Sequence, residues 1–321
     1  MWSFTKKGEH IPKPPLLATG ASTAIDDGFL SIASIDFFGP CVVSKNRLYV
    51  LGWSDADRKS GSGGFRTHGE GSYILLEKNT IIVQGHLERP NDGNIANNGT
   101  FILNDWMFGD GLKGTFFAFN RTGAQIIKHF FHANLYNNGV SDDGKYAVCQ
   151  MAHNGTSDGG MLAFFDLESR SLLWQQPPVT GWAQSYAFDV ENQVLFLVYE
   201  NLSRFRYAFS GKFLDAEQWV QARIKDGSGF ELSRIGRQKL NVCGDHPTAN
   251  AGQEIRELFE RALERLENYP NEQAIVHRAI GELYERLHDK YRAIEHYNLA
   301  MKFNPKVGVK RRLSALKGQT T

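Results

Sequence analysis

Between residues 29 and 219 the apolar positions fall in short runs separated by Asp-Gly, Asn-Gly or Glu-Ser turns, with no run at helical spacing. The clearest unit lies between Asn138 and Trp174. There Lys145-Tyr146-Ala147-Val148 leads to a Gly-rich turn at Gly155 to Gly160, then to Met161-Leu162-Ala163-Phe164-Phe165, and after Glu168-Ser169-Arg170 to Ser171-Leu172-Leu173-Trp174. Such runs predict strands joined by hairpins, because Gly and Asp tolerate the backbone angles of tight turns. After residue 251 the pattern changes. Ile255, Leu258, Phe259, Ala262, Leu263 and Leu266 recur at the spacing of one helix face.

The strand unit recurs. Its inner strand reads Arg47-Leu48-Tyr49-Val50-Leu51, Thr100-Phe101-Ile102-Leu103, Lys145-Tyr146-Ala147-Val148 and Gln193-Val194-Leu195-Phe196-Leu197. Its partner begins at Gly71, Gly114, Gly160 and Ser203. A period of roughly 45 residues is that of a four-stranded blade whose apolar faces need neighbouring blades to cover them. In this pattern the chain resembles WD40-like and quinoprotein-like β-propellers, although Gly-His and Trp-Asp signatures are not in register. The resemblance implies a mainly β fold of about four to five blades; Phe230 to Leu240, within the stretch 221–250, reads either as a further degenerate strand pair or as part of a linker. A β-sandwich or meander gives the same alternation.

The stretch from Gln273 to Pro305 resembles a tetratricopeptide (TPR) repeat. Gly281, Tyr284, Ala293, Tyr297, Ala300 and Pro305 stand at the separations that family uses, while His277 occupies the place of its tryptophan. Small Gly281 and Ala293 let two helices approach, and Pro305 ends the second. The expected organisation is a proline-rich strap at 1–20, a propeller-like domain at 21–240, a linker at 241–250 and an all-α, TPR-like domain at 251–321.

Composition narrows the function classes. A formal charge of +1 argues against nucleic acid as a partner. The polar N-terminus is not read as a secretory signal and no apolar run is long enough to span a bilayer, so a cytoplasmic location is expected. Cys41, Cys149 and Cys243 form no CxxC pair. No phosphate loop, GxSxG elbow or HExxH motif is found, and no cofactor or metal is expected. Lys59-Ser60-Gly61-Ser62-Gly63-Gly64 reads as a mobile hairpin loop, and the histidines as structural or solvated residues.

In a propeller, the loops that follow the inner strands share one face. They carry Trp53 and Asp55, Asp105 and Trp106, His153 and Asn154, and Glu200 and Asn201, a set able to hold a peptide or a small polar ligand. The TPR resemblance implies a groove lined by Ile275, Arg278, Glu282, Glu285 and Arg286. These surfaces favour a non-enzymatic scaffold or adaptor with a protein or peptide partner, able to enter an oligomer or larger assembly. The alternatives are a metal-dependent propeller hydrolase of the lactonase or esterase kind, and a sensor or subunit of a bacterial multi-protein system.

Overall fold

The computed structural model describes residues 23–57, 59–109, 111–200 and 203–318; the strap at 1–20 and Asn201 lie outside the described residues. The chain divides into two compact units between Asp215 and Ala216. The first holds 17 described strands in four antiparallel sheets, and the second is all-helical with six described helices. Among the described residues the sheets form no closed barrel or propeller ring.

The first sheet runs in chain order through β1 (Thr23–Asp26), β2 (Phe29–Ile32), β3 (Phe37–Val43), β4 (Tyr49–Ser54), β5 (Gly71–Glu77) and β6 (Thr80–Leu87). The second contains β7 (Pro90–Ile95), β8 (Phe101–Asp105), β9 (Gly114–Phe119) and β10 (Gln125–Phe131). The third is built from β11 (Leu135–Val140), β12 (Tyr146–Met151), β13 (Leu162–Asp166) and β14 (Ser171–Gln176). The last has β15 (Ser185–Asp189), β16 (Val194–Val198) and β17 (Arg204–Ala208).

Strands such as β5 and β9 are buried almost throughout because alternate side chains enter different cores. Leu51, Trp53 and Leu75 meet Phe101 and Leu103 between the first and second sheets. Ile102 and Phe116 meet Cys149 and Phe165 between the second and third. Val148 and Phe164 meet Leu195 and Tyr207 between the third and fourth. The other face of the first sheet is covered by its own chain, through Leu30, Ile32 and Phe37 on Val50 and Ile74. This covering requires β3 to bend. Its first half pairs with β2 and its second half, Cys41 to Val43, with β4. The bend falls at Gly39-Pro40, where a Cβ on Gly39 would lie 2.0 Å from the Trp53 carbonyl oxygen.

The β3–β4, β7–β8 and β11–β12 turns meet one another. Asn46 N donates to Asn97 Oδ1 at 2.8 Å, Asn98 Nδ2 to the Asp143 carbonyl at 2.7 Å, and Lys45 Nζ lies 2.8 Å from Asp142 Oδ2. Turns of the first three sheets therefore converge at this end.

The helical unit comprises α1 (Ala216–Asp226), α2 (Gly229–Val242), α3 (Ala249–Arg265), α4 (Pro270–Arg286), α5 (Lys290–Phe303) and α6 (Lys310–Gly318). The unit boundary lies 25 residues before the expected domain end at 240, because residues 216–242 are helical. The strand pair or linker expected at Phe230 to Leu240 is α2. Ser228 caps it by accepting from Glu231 N, and Leu232, Ile235, Gly236 and Leu240 form its buried stripe. Helices α4 and α5 approach closely at Gly281, where a Cβ would stand 2.5 Å from the Tyr297 ring. Ala293, Tyr297 and Ala300 are fully buried. His277 and His296 face each other with their Nδ1 atoms 3.1 Å apart, so one donates and the other accepts.

Two stability predictions follow from these contacts. Gly39→Ala should lower the unfolding free energy by about 1–3 kcal/mol through overpacking, measured by urea denaturation; an unchanged midpoint contradicts the bend. Burial and the His296 ring depress the His277 pKa to about 4, and burial depresses that of His296. The unfolded chain then binds more protons, so stability is full above pH 6.5 and falls as pH drops toward 4. His296→Gln should flatten that part of the melting-point profile followed at the helical circular-dichroism band.

Candidate functional site

The β4–β5 connection, residues 55–70, organises the loop end of the first two sheets. Asp55 Oδ2 accepts from Gly64 N at 2.9 Å. Asp57 accepts from Ser60 N at 2.9 Å, from the Ser60 hydroxyl at 2.8 Å and from Glu70 N at 3.1 Å. The stretch expected to be a mobile hairpin is thus tied down by two carboxylates through main-chain donors. The Ser60 hydroxyl, with the Ser60 and Glu70 amides, holds the Asp57 carboxyl down at about 2.

Beside this loop lies a cleft of about 340 Å³. Register builds its polar wall. Ser54 pairs with Ser72, and Ser72 with His86, so their side chains share one face of β4, β5 and β6. Asp57 and Gln84 complete the wall, and Phe37 and Ile74 lie below. At the lip Phe38, 65% exposed, stacks on Phe29 with ring centroids 5.4 Å apart. His86 Nδ1 is 4.0 Å from Glu70 Oε2. The site therefore offers two hydroxyls, an imidazole, a carboxylate and exposed aromatic surface.

Asp105 fastens the connection that carries the chain from the first sheet to the second. Its Oδ1 accepts from Arg89 N at 2.7 Å and Met107 N at 3.0 Å, and its Oδ2 from Glu88 N at 3.1 Å. Burial nevertheless raises its pKa above the ordinary value, against the lowering effect of the three amides. Trp106 donates through Nε1 to the Leu135 carbonyl at 2.8 Å, reaching the third sheet. Arg89 lies over the Trp106 ring, 5.8 Å from its centroid, with Nη2 3.9 Å from Asp55 Oδ2. Arg66 reaches the Glu88 carbonyl at 2.8 Å and stands over Phe108.

Of the loop residues expected to converge, Asp55, Asp105 and Trp106 gather around Arg89 and its backbone. Trp53 is buried between the first and second sheets. Asn154 fastens a different corner, donating to the Leu112 and His132 carbonyls at 3.1 and 2.7 Å. His153 and Glu200 are exposed, and among the described residues no hydrogen bond or ion pair joins them to this group. Arg89, Arg66 and the Ser54-Ser72-His86 row are not among the residues expected to form a site. The row was readable in principle, since it follows once strand register is known. The arginines sit in connections where only tertiary contacts distinguish them.

The expected helical groove is largely occupied by its own unit. Arg312 from α6 meets Glu285 at 2.9 Å and Glu282 at 3.6 Å, and Arg278 bonds Glu282 at 3.0 Å. Arg286 caps α2 through the Leu240 and Gly244 carbonyls. Ile275 is half-buried. A separate groove of about 310 Å³ runs along α1, α2 and α3, lined by Val220, Ile235, Val242 and Ile255, with Val242 81% exposed.

Among the described residues, no group of three or more His, Cys, Asp or Glu side chains is arranged to hold a metal, and no helix is long and apolar enough to cross a membrane. Comparison with protein families and with curated proteins finds no match to this chain.

The Asp57 tether gives a pH prediction. Its folded pKa is depressed from 3.8 to about 2, so the tether is complete above the ordinary carboxylate value and lost as pH falls through 2. Amide shifts of Ser60 and Glu70 should titrate together with a midpoint near 2; a midpoint near 4 would show the loop untethered.

Proposed function

We propose that this chain is a non-enzymatic binding protein, a scaffold or adaptor. In this reading its β unit is an open, propeller-like arc of four blades and its helical unit a short TPR-like array. The serial inter-sheet cores and the converging Asn46, Asn97 and Asp142 turns support the first resemblance. The close approach of α4 and α5 at Gly281 supports the second. Fold likeness does not by itself assign a ligand.

The observation that carries the function is the cleft on the first sheet. A polar row, Ser54, Ser72 and His86, lies beside an exposed stacked aromatic pair, Phe29 and Phe38. Its volume suits one or two side chains of a peptide, with the aromatic lip as anchor and the hydroxyls and imidazole as hydrogen-bonding partners. Exposed aromatic surface at a cleft mouth is stabilised when a partner covers it. The exposed Val242 groove offers the helical unit a second apolar contact surface.

Selection from a displayed peptide library tests this reading. Peptides enriched on the wild-type chain should bind Phe38→Ser and His86→Ala each about tenfold or more weakly, the loss of about 1.4 kcal/mol expected for a contact at the centre of an interface. Both side chains are exposed, so the variants should fold. Equal affinity for the wild type and both variants would sink the assignment of the cleft.

A further inference from the structure

Arg89 precedes Pro90 in the connection between the first two sheets. Its side chain is only 11% exposed. A guanidinium carries five N–H donors, and a buried one is normally hydrogen-bonded to a carboxylate or to carbonyls. Among the described contacts Arg89 makes no side-chain hydrogen bond: it has the Trp106 ring on one side and Asp55 at 3.9 Å, and its Nε is buried without a partner.

The reason lies in how the neighbouring acids are used. The Asp55 oxygen nearest to Arg89 is the one that accepts from Gly64 N. Both Asp105 oxygens are engaged by backbone amides, and Glu88 Oε2 accepts from Phe108 N at 2.6 Å. Each of these three carboxylates thus fastens a loop. Arg66 spends its terminal nitrogens on main-chain carbonyls. Arg66 Nε, Arg89 Nε, Trp53 Nε1 and Asn104 Nδ2 are buried donors without acceptors, and the amide oxygens of Asn91 and Asn104 are buried without donors.

We propose that Arg89 anchors a binding site for a carboxylate supplied from outside the chain. A carboxylate matches the planar fork of a guanidinium with two parallel hydrogen bonds. The Trp106 face fixes the plane of that fork, and the Trp106 bond to Leu135 with the Asp105 bond to Arg89 N holds both in place before a ligand arrives. Charge favours a monoanion. Three acids, Asp55, Glu88 and Asp105, stand beside Arg89 and Arg66, so a dianionic phosphate would lack the cluster of cations that such groups need, and a monoanion adds the least negative charge. The site shares the 55–70 loop with the cleft but does not depend on what fills the cleft.

The test is a titration of the ¹⁵N-labelled full chain with sodium acetate at constant ionic strength, following the Arg89 Nε–H and Trp106 Nε1–H resonances. Sodium chloride and inorganic phosphate serve as the comparison anions. Both resonances should move saturably with acetate and only weakly and linearly with chloride. Asp55→Asn, which removes the competing negative charge, should tighten acetate several-fold. Arg89→Met should abolish the saturable shift at Trp106. Saturation by phosphate without saturation by acetate would overturn the assignment. So would an acetate response equal to that of chloride, or an Asp55→Asn variant that binds acetate more weakly.

Discussion

The loop end of the β unit depends on one buried carboxylate. Asp105 is 3% exposed; burial raises its pKa, and the three main-chain amides that point at its oxygens offset part of that cost. Those amides belong to the link between the first two sheets and to the residue after Trp106. Fixing them sets the path of the chain into β7, places Arg89 over Trp106, and lets Trp106 bond the Leu135 carbonyl in the third sheet. One side chain in this way aligns loops of three sheets.

Strand alternation supplies the rest of the scaffold. Because β4, β8 and β12 send successive residues to opposite faces, each of the first three sheets takes part in two cores, and the stack grows by adding sheets. Among the described residues no sheet precedes the first, and β2 with the start of β3 covers its remaining apolar face. That solution leaves the mouth of the cleft beside the turned-over segment, with Phe37 below and Phe38 at the lip. The cleft is therefore a by-product of covering a sheet face, and its polar row comes from strand register.

Much of this was legible in sequence, and the failures have physical causes. Strand positions followed from alternation because buried strands here are bounded by turn residues. Asp105 and Trp106 stood out as loop-starting residues, but their side chains serve the fold, one by holding amides and the other by bonding a carbonyl. At Phe230 to Leu240 the Ser228 cap and the helical spacing of Leu232, Ile235 and Leu240 mark a helix, but the Gly-rich approach at Gly227 and Gly229 obscures that signal in the sequence. Glu282 pairs one turn away with Arg278, but its second partner Arg312, which also meets Glu285, comes from a helix much later in the chain that no local spacing indicates. Arg89 was invisible because its significance lies in acids already occupied by backbone amides, which no linear pattern records.

This end of the β unit holds a donor, Arg89, kept without an acceptor by the way its own acids are used. A crystal structure of the chain grown with sodium benzoate tests it most directly. The benzoate carboxylate should be hydrogen-bonded to Arg89, with Asp55 still on Gly64 N and Asp105 still on its three amides. An Asp55 carboxylate hydrogen-bonded directly to Arg89, with no anion beside it, would show that the arginine already has its acceptor within the chain.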